Sequence, residues 1–185
     1  MPIHLTTTSN SRNALGAQGR AGPPGAQLYA LIDAAQAPVR RALHDDYFPM
    51  AAFGLFDALP EQDAQSAGPY LLPLNPEEAD HHARIDWLLA AELAAPCVVW
   101  LWSGAGREAL FAHLQQQLIA SLPGGGEALL RYYDPRVLHQ LLADGVLTQA
   151  QALHFAGPVA RFQWHVPQRG HFTFTTATPA HHAQA

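Results

Sequence analysis

Three carboxylates, Asp33, Asp57 and Asp134, stand where apolar, strand-like runs end. Strand ends are where α/β folds commonly present ligand-binding groups. Converging on one open pocket, these acids would offer hydrolase or phosphoesterase chemistry, with a raised carboxyl pKa or a bound metal as its signature. The run Arg131-Tyr132-Tyr133-Asp134-Pro135-Arg136 adds two guanidiniums. Arg131 is expected to pair with Asp33 or Asp57, and Asp134 before Pro135 has the form of a helix N-cap. A buried polar clasp fixing strand-to-helix geometry accounts for the same residues without a ligand. Asp33, Asp57, Arg131, Asp134 and Arg136 are therefore read first as a structural clasp, with the strand-end aspartates of a small hydrolase as the alternative.

The other reactive side chains point to simpler roles. Asp80-His81-His82 has the letters of a phosphoesterase motif, but it falls inside a predicted helix without partner aspartates, as a solvated helix face would. The 11 histidines show no Cys/His zinc spacing and no His-Glu-x-x-His pattern, although His165 and His171 are expected to face each other across a hairpin. Trp102-Ser103-Gly104-Ala105-Gly106 is not a nucleophile elbow, and it lacks the Lys of a phosphate loop, so Ser103 reads as a helix cap. Cys97, opening an apolar strand, reads as a small buried hydrophobe. No metal and no cofactor are expected.

The elements that must position these residues follow from periodicity. Strands are predicted at 27–34, 51–58, 70–74, 96–102, 128–133 and 159–166, and helices from Pro38, over 75–92, over 105–122, from Pro135 and over 148–155. The run Pro96-Cys97-Val98-Val99-Trp100-Leu101-Trp102 has no polar alternation, which marks a central strand covered on both faces. The alternation of elements predicts an α/β fold: a layered mixed sheet of about five to six strands flanked by helices. One domain is expected over residues 27–174, between flexible tails at 1–26 and 175–185, whose small and polar residues cannot bury enough surface to order themselves.

Composition narrows the function classes. The chain has 185 residues, a formal charge of −5 and ten basic residues, all of them Arg. A net acidic protein lacks the basic face that phosphate neutralisation needs, so nucleic acid is not an expected partner. No run reaches the roughly 20 apolar residues of a membrane span, and the N-terminus has no secretory pattern. A single Cys suits a reducing compartment, and the expected location is cytoplasmic.

Four pieces of the chain, in order, carry a family resemblance: residues 28–35 (LYALIDAA), 54–74 (GLFDALPEQDAQSAGPYLLPL), 96–103 (PCVVWLWS) and 129–142 (LLRYYDPRVLHQLL). Together with His154-Phe155-Ala156-Gly157-Pro158 and Trp164, they resemble the bacterial type VI secretion adaptors known as domain of unknown function 4123. The resemblance implies an adaptor or chaperone that binds a secreted toxin effector and helps load it onto the VgrG spike protein, without catalysis. An immunity or scaffold protein of the same secretion locus is a further possibility that the sequence does not separate from it. For an adaptor, an aromatic partner-binding surface is expected around Tyr29, Phe56, Tyr70, Tyr132 and Trp164, with Gly68-Pro69-Tyr70 as a rigid turn presenting its aromatic.

Overall fold

The computed structural model of the chain describes residues 3–8, 22–44, 52–57 and 68–176. Among the described residues nine strands and five helices succeed one another in the order β1 (Ile3–Thr8), β2 (Gln27–Asp33), α1 (Ala37–His44), β3 (Phe53–Gly54), β4 (Pro69–Leu74), α2 (Ala79–Ala94), β5 (Val98–Ser103), α3 (Arg107–Gln116), β6 (Ile119–Ser121), β7 (Glu127–Leu129), α4 (Pro135–Leu142), α5 (Gln149–Ala156), β8 (Val159–Val166) and β9 (Gly170–Thr176). Seven strands form one sheet in the order β1-β9-β8-β5-β2-β4-β3, and β6 and β7 form a separate hairpin. Every pairing among them is antiparallel, so the expected mixed sheet of five to six strands is corrected to a larger antiparallel one.

β5 lies at the centre of this sheet, and all six of its residues are buried. Its apolar residues alternate between two cores, as the two-residue period of a strand requires. Val98, Trp100 and Trp102 face one cluster with Leu28, Ala30 and Ile32 of β2. Val99 and Leu101 face the other, with Tyr29 and Leu31. Val39 of α1 and Ile85, Leu88 and Ala91 of α2 cover the first side. Leu110 and Leu114 of α3, Leu138 and Leu141 of α4, and Phe155 of α5 cover the second. The result is a three-layer sandwich of helices, sheet and helices. Continuous apolarity in β5 has the cause expected for it: both of its faces are dry.

Several boundaries differ from the sequence reading. Residues 3–8, expected as tail, pair with β9, and residues 175 and 176 complete that strand. Residues 22–26 of the first expected tail are also described, and Ala26 packs partly buried against the core. The rest of both expected tails, with His181 and His182, lies outside the described residues. The helix expected over 105–122 spans only Arg107–Gln116, with Gly106 as its N-cap. Ser103 instead belongs to β5; its hydroxyl donates to the Pro158 carbonyl at 2.9 Å and accepts from the Ala105 amide at 3.1 Å. Beyond α3 the chain reverses through Gly124, Gly125 and Gly126, all with φ near +90°, a conformation that side chains with a Cβ rarely adopt. Of the strand expected over 51–58, only Phe53–Gly54 pairs, and Ala51 and Ala58 lie outside the described residues.

Candidate functional site

The run Arg131–Arg136 sits where the β6–β7 hairpin gives way to α4. A strand was expected over 128–133, but β7 ends at Leu129 and a turn closes from the Asp134 amide to the Arg131 carbonyl at 3.0 Å. Strand geometry would send Tyr132 and Tyr133 to opposite faces, whereas both are buried in the same core. The turn resolves that conflict. The Tyr132 hydroxyl donates to the Leu114 carbonyl of α3 at 2.7 Å, and burial drives its pKa well above the usual phenol value.

Both charged pairs of the clasp are present. Asp33, fully buried at the end of β2, accepts from the Ala35 amide at 3.0 Å, from Gln36 Nε2 at 3.1 Å and from the Arg131 guanidinium at 3.3 Å. Arg131 also lies over the Tyr133 ring, 5.7 Å from its centre. Because the Arg131 side chain is 46% exposed, solvent screens the pair and its contribution is modest. Asp134 caps α4 through Oδ1, which accepts from the Arg136 amide at 2.9 Å. The Arg136 guanidinium grips the same carboxylate in a fork, Nε to Oδ1 at 3.0 Å and a terminal nitrogen to Oδ2 at 2.7 Å. Asp57 does not join this clasp. It sits exposed in the turn after β3, two strands from β2, where its charge and the burial of Tyr70 together raise the Tyr70 phenol pKa.

The expected aromatic surface is corrected by burial. Tyr29, Phe56, Tyr132 and Trp164 are all core residues, and Gly68 and Pro69 are buried with them. Tyr70 is half-buried. Large amphipathic side chains suit a core as well as an interface, and here sheet and helices close over them. Phe56, Tyr133, Tyr132, Phe155, Phe162 and Phe174 form an unbroken chain of ring contacts, with centres 5.4 to 6.4 Å apart. Gly68 belongs to this packing: a Cβ there would lie 2.6 Å from the Phe56 ring, so the turn needs a residue without one. The turn is structural for that reason.

What the surface does present was not foreseen. Ile119, Leu122 and Leu129 are 41–47% exposed, and Ile119 and Leu129 are directly paired across the β6–β7 hairpin, on one face of it. Their neighbours Ser121 and Glu127 are exposed and polar. Among the described residues the hairpin pairs with no other strand and forms a two-stranded sheet of its own. Ile119 and Leu122 fall within the helix expected over 105–122, and Leu129 within the strand expected over 128–133. The readable signal was a Gly-rich turn between two short segments, which marks a hairpin.

Buried titratable groups lie elsewhere, around β5. Glu92 of α2 is 2% exposed and accepts from the Trp100 indole at 2.8 Å. Burial pushes its pKa up to about 7, against the lowering effect of that hydrogen bond. Cys97 is buried as expected, and burial, with the nearby Glu92 and Asp33 charges, pushes its thiol up to about 12. His165 and His171 do meet across the β8–β9 hairpin, stacked with ring centres 4.4 Å apart. Burial, then the neighbouring His165, lowers the His171 pKa to about 4. His81 Nδ1 accepts from the Asn75 amide at 2.7 Å, and His82 bonds the Pro76 carbonyl at 2.8 Å, so this pair fixes the start of α2. No group of three or more His, Cys, Asp or Glu suited to a metal ion occurs among the described residues. No helix among them is long and apolar enough to cross a membrane.

Neither a curated protein nor a solved structure matches the chain. A protein-family model does, over residues 28–152: the domain of unknown function DUF4123. That stretch runs from β2 to α5 and contains the whole clasp, the Gly68 turn and the exposed hairpin. With so much of the chain matched, this protein belongs to the DUF4123 family.

Proposed function

We propose that this protein is an adaptor, or chaperone, that binds a type VI secretion effector in the cytoplasm and helps load it onto the VgrG spike. Membership of the family, whose resemblance implies that role, supports the reading. The observation that carries it is the β6–β7 hairpin, a sheet separate from the main one, with an exposed apolar cross-strand pair and a polar rim. Apolar centres ringed by polar residues are the anatomy of protein–protein contact. An adaptor needs such a surface and no catalytic dyad, cofactor or nucleic acid. The clasp serves it indirectly, since Asp33 and Asp134 hold the turn at the base of the hairpin and the start of α4.

Affinity capture from the native cell, with the intact protein and with Ile119→Asp/Leu129→Asp, tests this reading. Mass spectrometry is expected to recover a VgrG protein and a toxin-like protein together with the intact chain, and to lose both with the variant. Recovery of neither by the intact chain, in cells expressing the secretion proteins, would count against an adaptor.

A further inference from the structure

β1 closes one end of the main sheet and has a single neighbour there. β1 pairs with β9 over its full length, Ile3 to Thr176 through Thr8 to His171. Neither core cluster includes a described side chain of β1, and His4, Leu5 and Thr6 are exposed. Leu5 stands directly opposite Phe174, which is buried, yet Leu5 itself stays 41% exposed. β9, by contrast, sends Phe172 and Phe174 into the core and is held on its other side by β8. β9 is therefore held by β8 and by its own core side chains, while its other edge without β1 would be a row of unpaired amides and carbonyls. Residues 9–26 join β1 to β2, and Gly22 and Ala26 at the far end of this link lie against Trp102 and the core. The two strands are four sheet spacings apart, about 19 Å, and residues 9–21 alone reach about 45 Å when extended. β1 can leave the edge without disturbing β2.

We infer that the β9 edge is a docking slot for one extended segment of a protein partner, which takes the place of β1 by strand exchange. Naming that partner as the cargo rests on the adaptor reading above; the slot does not. Main-chain bonds to an open edge supply affinity in such docking, and side chains at alternate positions supply specificity. The segment that fits lies antiparallel to β9 and has no Pro. It carries a large β-branched or aromatic residue opposite Phe174 and polar residues opposite Thr173 and Thr175, where β1 has Thr6 and His4. A second copy of this chain is the weaker competitor. It offers the same β1, so exchange between copies gains no bond and adds the cost of association. A partner with a larger side chain at the Leu5 position gains the contact that Leu5 leaves unused.

The full-length chain tests this with fluorescent peptides of residues 1–9: the native sequence, one with Leu5→Phe and one with Thr6→Pro. In the variant Thr6→Cys/Thr173→Cys, two directly opposed positions are bridged by oxidation, which is verified by mass, and β1 is locked in place. The Phe peptide is expected to bind the unmodified chain several-fold more tightly than the native peptide, as aromatic cross-strand pairs do, and the Pro peptide not at all. The oxidised variant is expected to bind none, and to recover binding on reduction. Binding of no peptide by the unmodified chain, or equal binding by the oxidised variant, overturns the slot. Dimers that grow with concentration and vanish on oxidation, without peptide uptake, give the edge to a second copy and overturn the partner assignment. If the oxidised variant still recovers spike and toxin, the adaptor stands and the slot falls as its cargo port. If peptides bind while the intact chain recovers neither protein, the slot stands and the adaptor reading falls.

Discussion

Glu92 should make this protein less stable at neutral pH than its hydrogen bonding alone suggests. The carboxyl is buried against Trp100, and its pKa rises from the ordinary 4.5 to about 7. The folded state therefore holds a proton that the unfolded chain releases above pH 4.5. Stability from this group is complete below that value and is lost as pH climbs to 7. A shift of this size corresponds to about 3 kcal/mol. His171 runs the other way: its folded pKa falls from 6.5 to about 4, so its contribution is complete above 6.5 and is lost as pH drops. Between pH 4.5 and 6.5 the Glu92 slope opposes that of His171 and of His139, whose pKa burial also lowers. Glu92→Gln keeps an acceptor for the indole and removes the ionisation. Urea unfolding at half-unit steps from pH 4.5 to 8 should then show stability rising more steeply up to pH 6.5 than in the intact protein. At pH 8 the variant should exceed the intact protein by about 3 kcal/mol, and by far less at pH 4.5. A variant whose profile parallels the intact one across that range would refute the assignment of the neutral-range proton to Glu92.

Other substitutions test the clasp and the packing. Asp134→Ala removes the cap of α4 and the Arg136 fork, and should cost about 1 kcal/mol in chemical denaturation, with Asp134→Asn costing less because it can still cap. Gly68→Ala forces the Phe56 ring aside and should cost about 1–3 kcal/mol, read as a lower thermal midpoint. Tyr132→Phe leaves the buried Leu114 carbonyl without its donor, an expected loss of about 1 kcal/mol; an unchanged unfolding midpoint would contradict the bond.

Much of the fold could be read where one local cue had one structural meaning. The unbroken apolar run of β5 and Asp134 followed by Pro135 each led to the element found there; the helix expected over 148–155 is present as Gln149–Ala156, with Thr148 as its cap in a capping box with Gln151. Arg131 could be given an acid at a strand end as partner, but the choice of Asp33 over Asp57 comes from the sheet order. Other features turned on tertiary context. Leu118, Ile119 and Leu122 fit a helical stripe as well as a hairpin, and only the hydrogen bond from the Leu130 amide to the Leu118 carbonyl decides between them. Tyr and Trp at 29, 132 and 164 carry no mark that separates interface from core. β1 was hidden because Ile3 to Thr8 forms a strand only by pairing with β9, more than 160 positions away.

The alternation of β2 and β5 between two cores has an evolutionary corollary. The sheet acts as a partition: neighbouring positions such as Val99 and Trp100 belong to different packing problems. Substitutions on opposite sides share few partners, so their costs should add, while those on one side should couple. One wall of the molecule can thus accumulate changes on its own schedule. Relatives would then diverge in the α1–α2 layer and the α3–α5 layer at separate rates, without leaving the common sheet.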